Sequence, residues 1–135
     1  MTLNHRRWIM ALGFTALLGA SAVQAQEEVD RANVPFSFDV AGKQQEAGSY
    51  SAQREPNNVL AIRNNQSRKE VLVVPMLTTV KYDTPSNLSF ERFGSHYVLR
   101  KVQFGNGFVY EIPRTKQEKE LAKSTTPEVI LVAMR

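Results

Sequence analysis

Short apolar segments separated by turn residues are the feature that most limits the fold of this chain. The stretch "VPFSFDVAGKQQEAGSY" places Phe36, Phe38 and Val40 on alternate positions, breaks at Ala41-Gly42 and resumes at Tyr50. Such alternation is typical of a half-buried strand, and glycine tolerates the positive φ of a tight turn. The stretch therefore predicts the first β-hairpin of the fold, with Tyr50 returning towards the two phenylalanines.

Seven further segments of the same kind follow along the chain. They are residues 49–53, 59–63, 70–77, 88–93, 97–104, 108–112 and 129–133. Short strands with turn signals at this spacing favour an all-β fold, an antiparallel sandwich or small barrel of about seven or eight strands.

Two of these segments carry more specific expectations. Residues 70–77, "EVLVVPML", have apolar side chains at both alternate positions, which predicts a strand buried on both faces. Pro75 lacks a donor for the sheet, so it should lie at a bulge, an edge or the end of that strand. The apolar run 129–133 is predicted to dock into the interior of the sheet.

The segment "IPRTKQEKELAKS" gives the one helical signal. Thr115 and Glu118 have the spacing of a capping box, in which each side chain binds the backbone N–H of the other residue. Only Leu121 and Ala122 are apolar, which predicts a short surface helix before the C-terminal strand.

The first 25 residues have the three-part layout of a secretory signal peptide. Arg6 and Arg7 form a basic head, residues 8–18 are apolar, and Val23 and Ala25 supply the small side chains of a cleavage site. The apolar run is shorter than the about 20 residues of a membrane-spanning helix. We therefore expect residues 1–25 to be removed, residues 26–33 to be a polar leader and residues 34–135 to form a single β domain. The mature protein is predicted to be periplasmic or extracellular and not to span a membrane.

Charge and cysteine content narrow the function classes. The whole chain carries a net charge of +4, and loss of Arg6 and Arg7 leaves 15 basic and 13 acidic residues, a net charge of +2. Nucleic-acid binding needs cationic residues clustered on one face, so it is not predicted. The chain has no cysteine. Its stability must come from a core rather than from disulfides.

Residues that could perform chemistry are sparse. His96 is the only histidine after the signal segment and is expected in a solvated turn, so no metal or cofactor site is predicted. Asp39, Glu91 and Glu111 alternate with apolar neighbours, which predicts carboxylates on the wet face of strands. The pair Arg100-Lys101 is expected on an exposed strand edge. No catalytic residue is identified, and the chain is predicted not to be an enzyme.

Most of the aromatic residues are expected in the core of so small a cysteine-free domain. The alternative is an aromatic platform or lipophilic cavity built from Tyr82, Tyr97 and Tyr110. The leading function is an exported, non-enzymatic binding or structural module with a protein, a glycan or a small apolar molecule as partner. The alternative is a small lipocalin-like barrel that binds an apolar ligand. A hydrolase is less favoured, because the chain lacks a G-x-S-x-G pentapeptide.

The order of motifs resembles a group of short secreted proteins common in acidobacterial genomes. That group has an N-V-P-F-x-F-x-V-G opening, an A-G-x-Y turn, an F-x-x-x-G-x-x-Y-x-L middle and an L-P-x-S-x-x-E-x-E-L helix. Here Ala41 precedes the first glycine, Ile112 replaces the leucine and Thr115 replaces the serine. The resemblance implies an exported β-rich domain and implies no particular activity.

Overall fold

The computed structural model describes residues 30–80 and 85–135, which form two β-sheets packed as a sandwich and one short helix before the last strand. The strands are β1 (Asp30–Val34), β2 (Phe38–Val40), β3 (Lys43–Gln45), β4 (Gly48–Glu55), β5 (Val59–Asn64), β6 (Glu70–Val73), β7 (Met76–Val80), β8 (Asn87–Phe93), β9 (His96–Gln103), β10 (Phe108–Glu111) and β11 (Glu128–Ala133). The helix is α1 (Lys116–Ser124). The predicted all-β class is confirmed, and of the two predicted architectures the protein has the sandwich.

In each sheet, several strands that follow one another in the sequence are also neighbours in the sheet. The four-stranded sheet has the order β1-β4-β5-β6, and the seven-stranded sheet has the order β11-β8-β9-β10-β7 with β2 and β3 attached to β9. The described residues form eleven strands, three more than the eight predicted segments. β1 and β3 were not predicted, and residues 70–77 divide into two strands.

The first hairpin is tighter than the sequence predicts. β2 pairs with β3 across Ala41 and Gly42, whose φ values of 49° and 83° fit a two-residue turn with the left-handed geometry that suits twisted strands. Tyr50 lies on β4 in the other sheet, and its ring centroid is 5.0 Å from that of Phe38. The return of Tyr50 towards Phe38 is therefore confirmed, although it occurs across the sandwich rather than within one hairpin.

β1 begins inside the stretch predicted as a polar leader. Its residues pair antiparallel with β4, and Ala32 and Val34 are buried. These two small apolar residues alternate with polar ones, so the strand could be overlooked in a mostly polar segment. β1 thus includes four residues that precede the predicted boundary at residue 34. The predicted signal peptide lies outside the described residues.

Residues 70–77 are not buried on both faces, as the sequence had predicted. Val71 and Val73 are buried, whereas Leu72 and Val74 are 60% and 66% exposed. The reason is topological: β6 and β7 are the edge strands of different sheets, and the chain passes from one sheet to the other at Pro75. The break at Pro75 itself agrees with its lack of a backbone donor.

β11 is an edge strand, so the prediction that residues 129–133 enter the interior of the sheet is wrong. It pairs only with β8, and Val129 and Leu131 point to solvent. Just beyond β11, Arg135 exchanges two backbone hydrogen bonds with Arg31 of β1, at 2.8 and 2.9 Å. This exchange joins the two sheets along one seam.

The core lies between the sheets and is largely aromatic at one end. The ring of Phe38 makes edge-on contacts with Tyr50 and Phe90, and Phe90 makes another with Phe36 at 4.9 Å between centroids. Phe38, Tyr50 and Phe90 are buried, and Phe36 is half-buried. The interior between these strands is thus occupied by packed side chains.

Candidate functional site

The predicted tyrosine site is not assembled as one surface. Tyr82 lies outside the described residues. Tyr97 stacks on Phe36 at 3.9 Å between ring centroids, whereas Tyr110 is buried and contacts Phe104 at 5.7 Å. Tyr110 pairs with Val102, five positions beyond Tyr97 on β9, which corresponds to about 17 Å along a strand. Tyr97 and Tyr110 therefore belong to different ring clusters of the core.

The densest group of charges lies where α1 meets the seven-stranded sheet. Arg100 donates to Glu91 at 2.8 Å, to Glu118 at 2.7 Å and to the carbonyl of Ile112 at 2.6 Å. Arg114 donates to the second oxygen of Glu91 at 2.6 Å. We call these four charged side chains, Arg100, Glu91, Glu118 and Arg114, the ion cluster. Two of them, Arg100 and Glu118, are only 4% exposed.

A β-bulge explains why an arginine is buried in the middle of a sheet. The register between β8 and β9 shifts so that Ser89 faces Lys101 and Phe90 faces Leu99. Arg100 is left as the extra residue, and a bulge of this kind redirects a side chain. The predictions that Arg100 lies on an exposed edge and that Glu91 lies on a wet face are therefore wrong. β9 is an interior strand, and both residues depend on pairing partners that are distant in sequence.

The electrostatics of the ion cluster indicate a structural role. Burial raises the pKa of Glu91, but hydrogen bonds from Arg114 and Arg100 outweigh it and hold that pKa below its usual 4.5. The hydrogen bond with Glu91 raises the pKa of Arg114. Glu118 also accepts from the backbone N–H of Thr115, its partner in the predicted capping box, which is confirmed. The cluster therefore fixes the start of α1 against the sheet.

The lowered pKa of Glu91 gives a prediction for acid stability. A carboxyl group whose pKa is lower in the folded state stabilises the protein fully above its unfolded pKa, here 4.5, and loses that contribution as the pH falls through the folded value. We expect the free energy of unfolding to decline below pH 4.5, and Glu91→Gln to weaken this dependence while destabilising the protein at pH 7. Urea unfolding followed by circular dichroism from about pH 7 to about pH 3 tests it. Glu120→Gln, on the exposed face of α1, is the matched control. An unchanged pH dependence in Glu91→Gln would contradict the assignment.

His96 lies at the start of β9 and is exposed, as the sequence predicts. Its Nε2 is 2.9 Å from Oδ2 of Asp39, which lies on β2. Asp39 pairs with Val98 in the parallel contact between β2 and β9, and this pairing brings the two side chains together. The pair spans two neighbouring strands on the surface.

A polar groove lies on the outer face of the four-stranded sheet. Four residues stand directly opposite one another across its strands: Arg31 on β1, Ser51 on β4, Arg63 on β5 and Glu70 on β6. In the next row Gln53 faces Ala61. Ser51 and Ala61 are buried although they face outward, because longer side chains surround them. These two small residues leave a depression of about 210 Å³, which we call the outer groove.

Three arginines and two glutamates border the outer groove. The arginines are Arg31, Arg63 and Arg68, and within the described ranges none of them forms an ion pair. The Nε of Arg63 is buried and has no hydrogen-bond partner there. A buried donor of this kind costs free energy unless something binds it. The glutamates are Glu55 and Glu70.

Two hydrogen bonds fix the side chain of Asn65, which lines the outer groove. Ser51 donates to Oδ1 of Asn65 at 2.8 Å, and Nδ2 of Asn65 donates to Ser49 at 2.8 Å. These bonds hold the Asn65 side chain in one orientation. A polar group held in this way loses little conformational entropy when it binds a ligand.

The turn after β5 brings Arg68 to the rim of the outer groove. Oδ1 of Asn64 accepts from the backbone N–H groups of Gln66 and Ser67, and Nδ2 of Asn64 donates to the Tyr50 hydroxyl at 3.1 Å. Burial raises the pKa of Tyr50 above its ordinary value, which keeps that hydroxyl protonated. Arg68 takes a φ of 69°, a left-handed conformation that is uncommon for a residue other than glycine. The buried Asn64–Tyr50 pair thus supports the turn that carries a rim arginine.

A second cleft, of about 590 Å³, follows the seam between the sheets. It is lined by Arg31, Ala32 and Asn33 of β1, Ser49 of β4, and Val132, Ala133 and Arg135 in the last residues of the sequence. We call it the seam cleft. Arg31 lines both the seam cleft and the outer groove, so the two depressions meet at this side chain.

The sequence did not point to the residues of the outer groove. One signal was present: Ser49, Ser51, Gln53 and Glu55 alternate along β4, which marks an entirely polar strand face. The contributions of Arg31, Arg63 and Arg68 depend on the register between strands, and that register is not visible along the chain. Among the described residues, no aromatic side chain lines the outer groove or the seam cleft.

Comparison with protein-family models, curated proteins and solved structures found no match. Among residues 30–80 and 85–135, no helix is long and apolar enough to cross a membrane. The same residues contain no group of three or more His, Cys, Asp or Glu side chains that could hold a metal ion. The fold and the two depressions therefore define the protein by class, as a β-sandwich with a polar groove on one outer face.

Proposed function

We propose that the protein is an exported, non-enzymatic binding module whose ligand site is the outer groove. The observation that carries the proposal is Arg63, whose buried Nε has no partner within the described residues and which lines the outer groove together with Ser51 and Ala61. A ligand acceptor that enters the depression would satisfy this donor. Small-molecule sites are typically concave and contain a few fixed polar groups, and the outer groove has both properties.

The state of the other charged residues favours binding over catalysis. An acid or base catalyst must reach the proton that it transfers on a substrate. Glu91 and Glu118 instead accept hydrogen bonds from arginines at the foot of α1. Asp39 contacts His96 on the surface. Each of these carboxylates is thus held by a neighbouring side chain.

The lipocalin-like alternative requires a barrel with an interior cavity. The two sheets of the described residues form a sandwich, and Phe38, Tyr50 and Phe90 pack between them. The lining of the outer groove is largely polar, and the seam cleft has a mixed polar and apolar lining. These observations favour a ligand that binds at the surface through hydrogen bonds and charge.

Export is supported by the sequence. Residues 1–25 have the layout of a secretory signal peptide, and the groups of the outer groove contain no thiol that an oxidising compartment would modify. The ligand is then a molecule of the periplasm or of the extracellular space.

Filling the outer groove should abolish binding. Chemical shifts of the ¹⁵N-labelled chain from Gln26 are recorded with a cellotetraose, a tetragalacturonate, an acidic peptide and laurate. We expect a polar ligand to shift the amides of Ser51, Ala61 and Arg63. Ala61→Leu places a larger side chain on the floor and should reduce the affinity at least about tenfold, the equivalent of one lost hydrogen bond to a charged group.

Ala122→Leu makes the same change on α1, at the other sheet, and should leave the affinity unchanged. Shifts produced by laurate alone and centred on Phe38 and Phe90 would overturn the proposal in favour of an interior apolar site. It would equally be overturned if no compound of the panel shifted the groove amides.

A further inference from the structure

We infer that the ligand of the outer groove is an acidic oligosaccharide, whose sugar carboxylates bind the arginines and whose hydroxyl groups bind the amide and carboxylate side chains. This inference rests on the proposed function, because it assigns a ligand class to the same site. Four features support it: the spacing of the arginines, the mixture of cationic, amide and carboxylate side chains in the lining, the position of β4 and β5 as interior strands, and the connection to the seam cleft.

The arginines are spaced for separate carboxylates. Arg31 and Arg63 stand opposite Ser51 from its two sides, so their backbones lie two strand spacings apart, about 10 Å. Neither guanidinium has an ion-pair partner within the described ranges. A guanidinium matches a carboxylate through two parallel hydrogen bonds. Two such groups held apart by a serine suit a ligand that repeats its carboxylates along a chain.

The rest of the lining matches sugar hydroxyls. A hydroxyl group both donates and accepts, so it can bind amides and carboxylates alike. Asn65 is locked by Ser49 and Ser51, and Glu55 and Glu70 supply acceptors at the rim. A single inorganic anion would use the cations alone and leave these groups without a role.

The two glutamates disfavour nucleic acid. A phosphate backbone carries one negative charge for each nucleotide and is bound by clustered cations. Glu55 and Glu70 lie among the arginines of the outer groove, and phosphodiester groups offer these carboxylates no donor, whereas sugar hydroxyls do. Single-stranded nucleic acid is also bound by stacking on aromatic side chains, and the part of the chain that the structure describes places none in the groove lining.

The sheet architecture disfavours an acidic peptide. Extended peptides commonly bind by adding a strand to an open sheet edge. The floor of the outer groove is formed by β4 and β5, which are interior strands with both edges already paired. A ligand that has no peptide backbone to pair with a strand fits this surface better.

The seam cleft extends the site beyond one sugar unit. It meets the outer groove at Arg31 and is lined further by Asn33 and by Arg135, whose backbone pairs with that of Arg31. A chain of sugars that places one carboxylate on Arg63 and the next on Arg31 would continue into this cleft. Recognition of an oligomer rather than a monosaccharide follows from this continuity.

The test compares tetragalacturonate with its methyl ester, which has the same backbone without the charges. Isothermal titration with the chain from Gln26 at low salt should give an affinity at least about tenfold higher for the acid form, since charge-assisted hydrogen bonds are the strong ones. Binding of the acid form should weaken when the ionic strength is raised to about 0.5 M, because salt screens exposed charges. The monosaccharide galacturonate should bind more weakly than the tetramer.

Variants assign the effect to residues. Arg63→Met and Arg31→Met should each lower the affinity for tetragalacturonate at least about tenfold while leaving the affinity for the methyl ester nearly unchanged. Arg92→Met removes an equivalent charge from the seven-stranded sheet, where Arg92 pairs with Glu128, and should have no effect. Thermal unfolding of each variant establishes that the fold is intact.

The possible failures are distinguishable. Equal binding of the acid and ester forms, sensitive to Ala61→Leu, would overturn the acidic ligand and leave the binding groove. Tetraglutamate or inorganic phosphate binding as tightly as tetragalacturonate would overturn the choice of a sugar. If no compound shifted the groove amides, the inference and the proposed function would both be overturned.

Discussion

Replacing Arg100 by methionine should lower the free energy of unfolding by about 3–5 kcal/mol, the usual cost of removing one partner from a buried ion pair. Methionine retains much of the side-chain volume but none of the donors. It leaves Glu118 and the carbonyl of Ile112 without the hydrogen bonds of 2.7 and 2.6 Å that they accept from Arg100. Glu91 keeps only Arg114. Urea unfolding at pH 7, followed by far-UV circular dichroism, measures the loss.

A second variant isolates the charge effect from packing. Adding Glu118→Leu to Arg100→Met removes the abandoned carboxylate, so part of the lost stability should return. Arg92→Met, which breaks an exposed pair with Glu128, should change the stability by less than about 1 kcal/mol. If Arg100→Met cost no more than Arg92→Met, the cluster would not stabilise the attachment of α1, and its structural assignment would be wrong.

The ion cluster also shows what local sequence patterns could not supply. The predicted capping box was correct because Thr115 and Glu118 are three residues apart and interact within one turn. The burial of Arg100 and Glu91 depends on a register shift between β8 and β9 and on a helix reached through β10. Alternation placed Glu91 on the outer face, but it could not reveal that Arg100 and Arg114 bind Glu91 there and leave its side chain only 12% exposed.

The same distinction separates the correct and incorrect strand predictions. The positions of strands follow from a local period of two, so most segments were predicted to within a few residues. Whether a strand is an edge or interior strand depends on pairing between distant segments. The sequence therefore assigned residues 70–77 and 129–133 to the interior by their apolar content, and both proved to be at sheet edges.

The candidate site was hidden for a related reason. Arg31, Ser51 and Arg63 are 20 and 12 residues apart in the chain and become neighbours only through the pairing of β1, β4 and β5. The predicted ligand contacts were aromatic residues, but Tyr97 and Tyr110 pack into ring clusters of the core. Export, the resemblance to secreted acidobacterial proteins and the absence of catalysis stay predictions.

The two faces of the sandwich thus have different roles in our proposal. On the seven-stranded sheet, charged side chains form ion pairs with one another and so attach α1 to the sheet. On the four-stranded sheet, three arginines border a depression without ion-pair partners among the described residues. Both faces rest on the same core, so ligand binding at one face requires that core to hold the strand register.

Phe90→Ala should lower the free energy of unfolding by about 3–5 kcal/mol. Phe90 is fully buried, and its ring makes edge-on contacts with Phe36 at 4.9 Å and Phe38 at 5.2 Å. Alanine removes the ring from a site enclosed by other aromatic side chains, which cannot close the space without leaving their own contacts. Urea unfolding at pH 7 measures the change in free energy.

The result also distinguishes a filled core from an aromatic ligand cavity. Val129→Ala, at a residue that is 62% exposed on β11, should cost less than about 0.5 kcal/mol and serves as the control. A loss for Phe90→Ala as small as that of the control would mean that the ring borders an open space, as in the lipocalin-like alternative. A large loss, together with the absence of laurate binding to the unsubstituted protein, fits an interior that serves stability and leaves ligand binding to the outer groove.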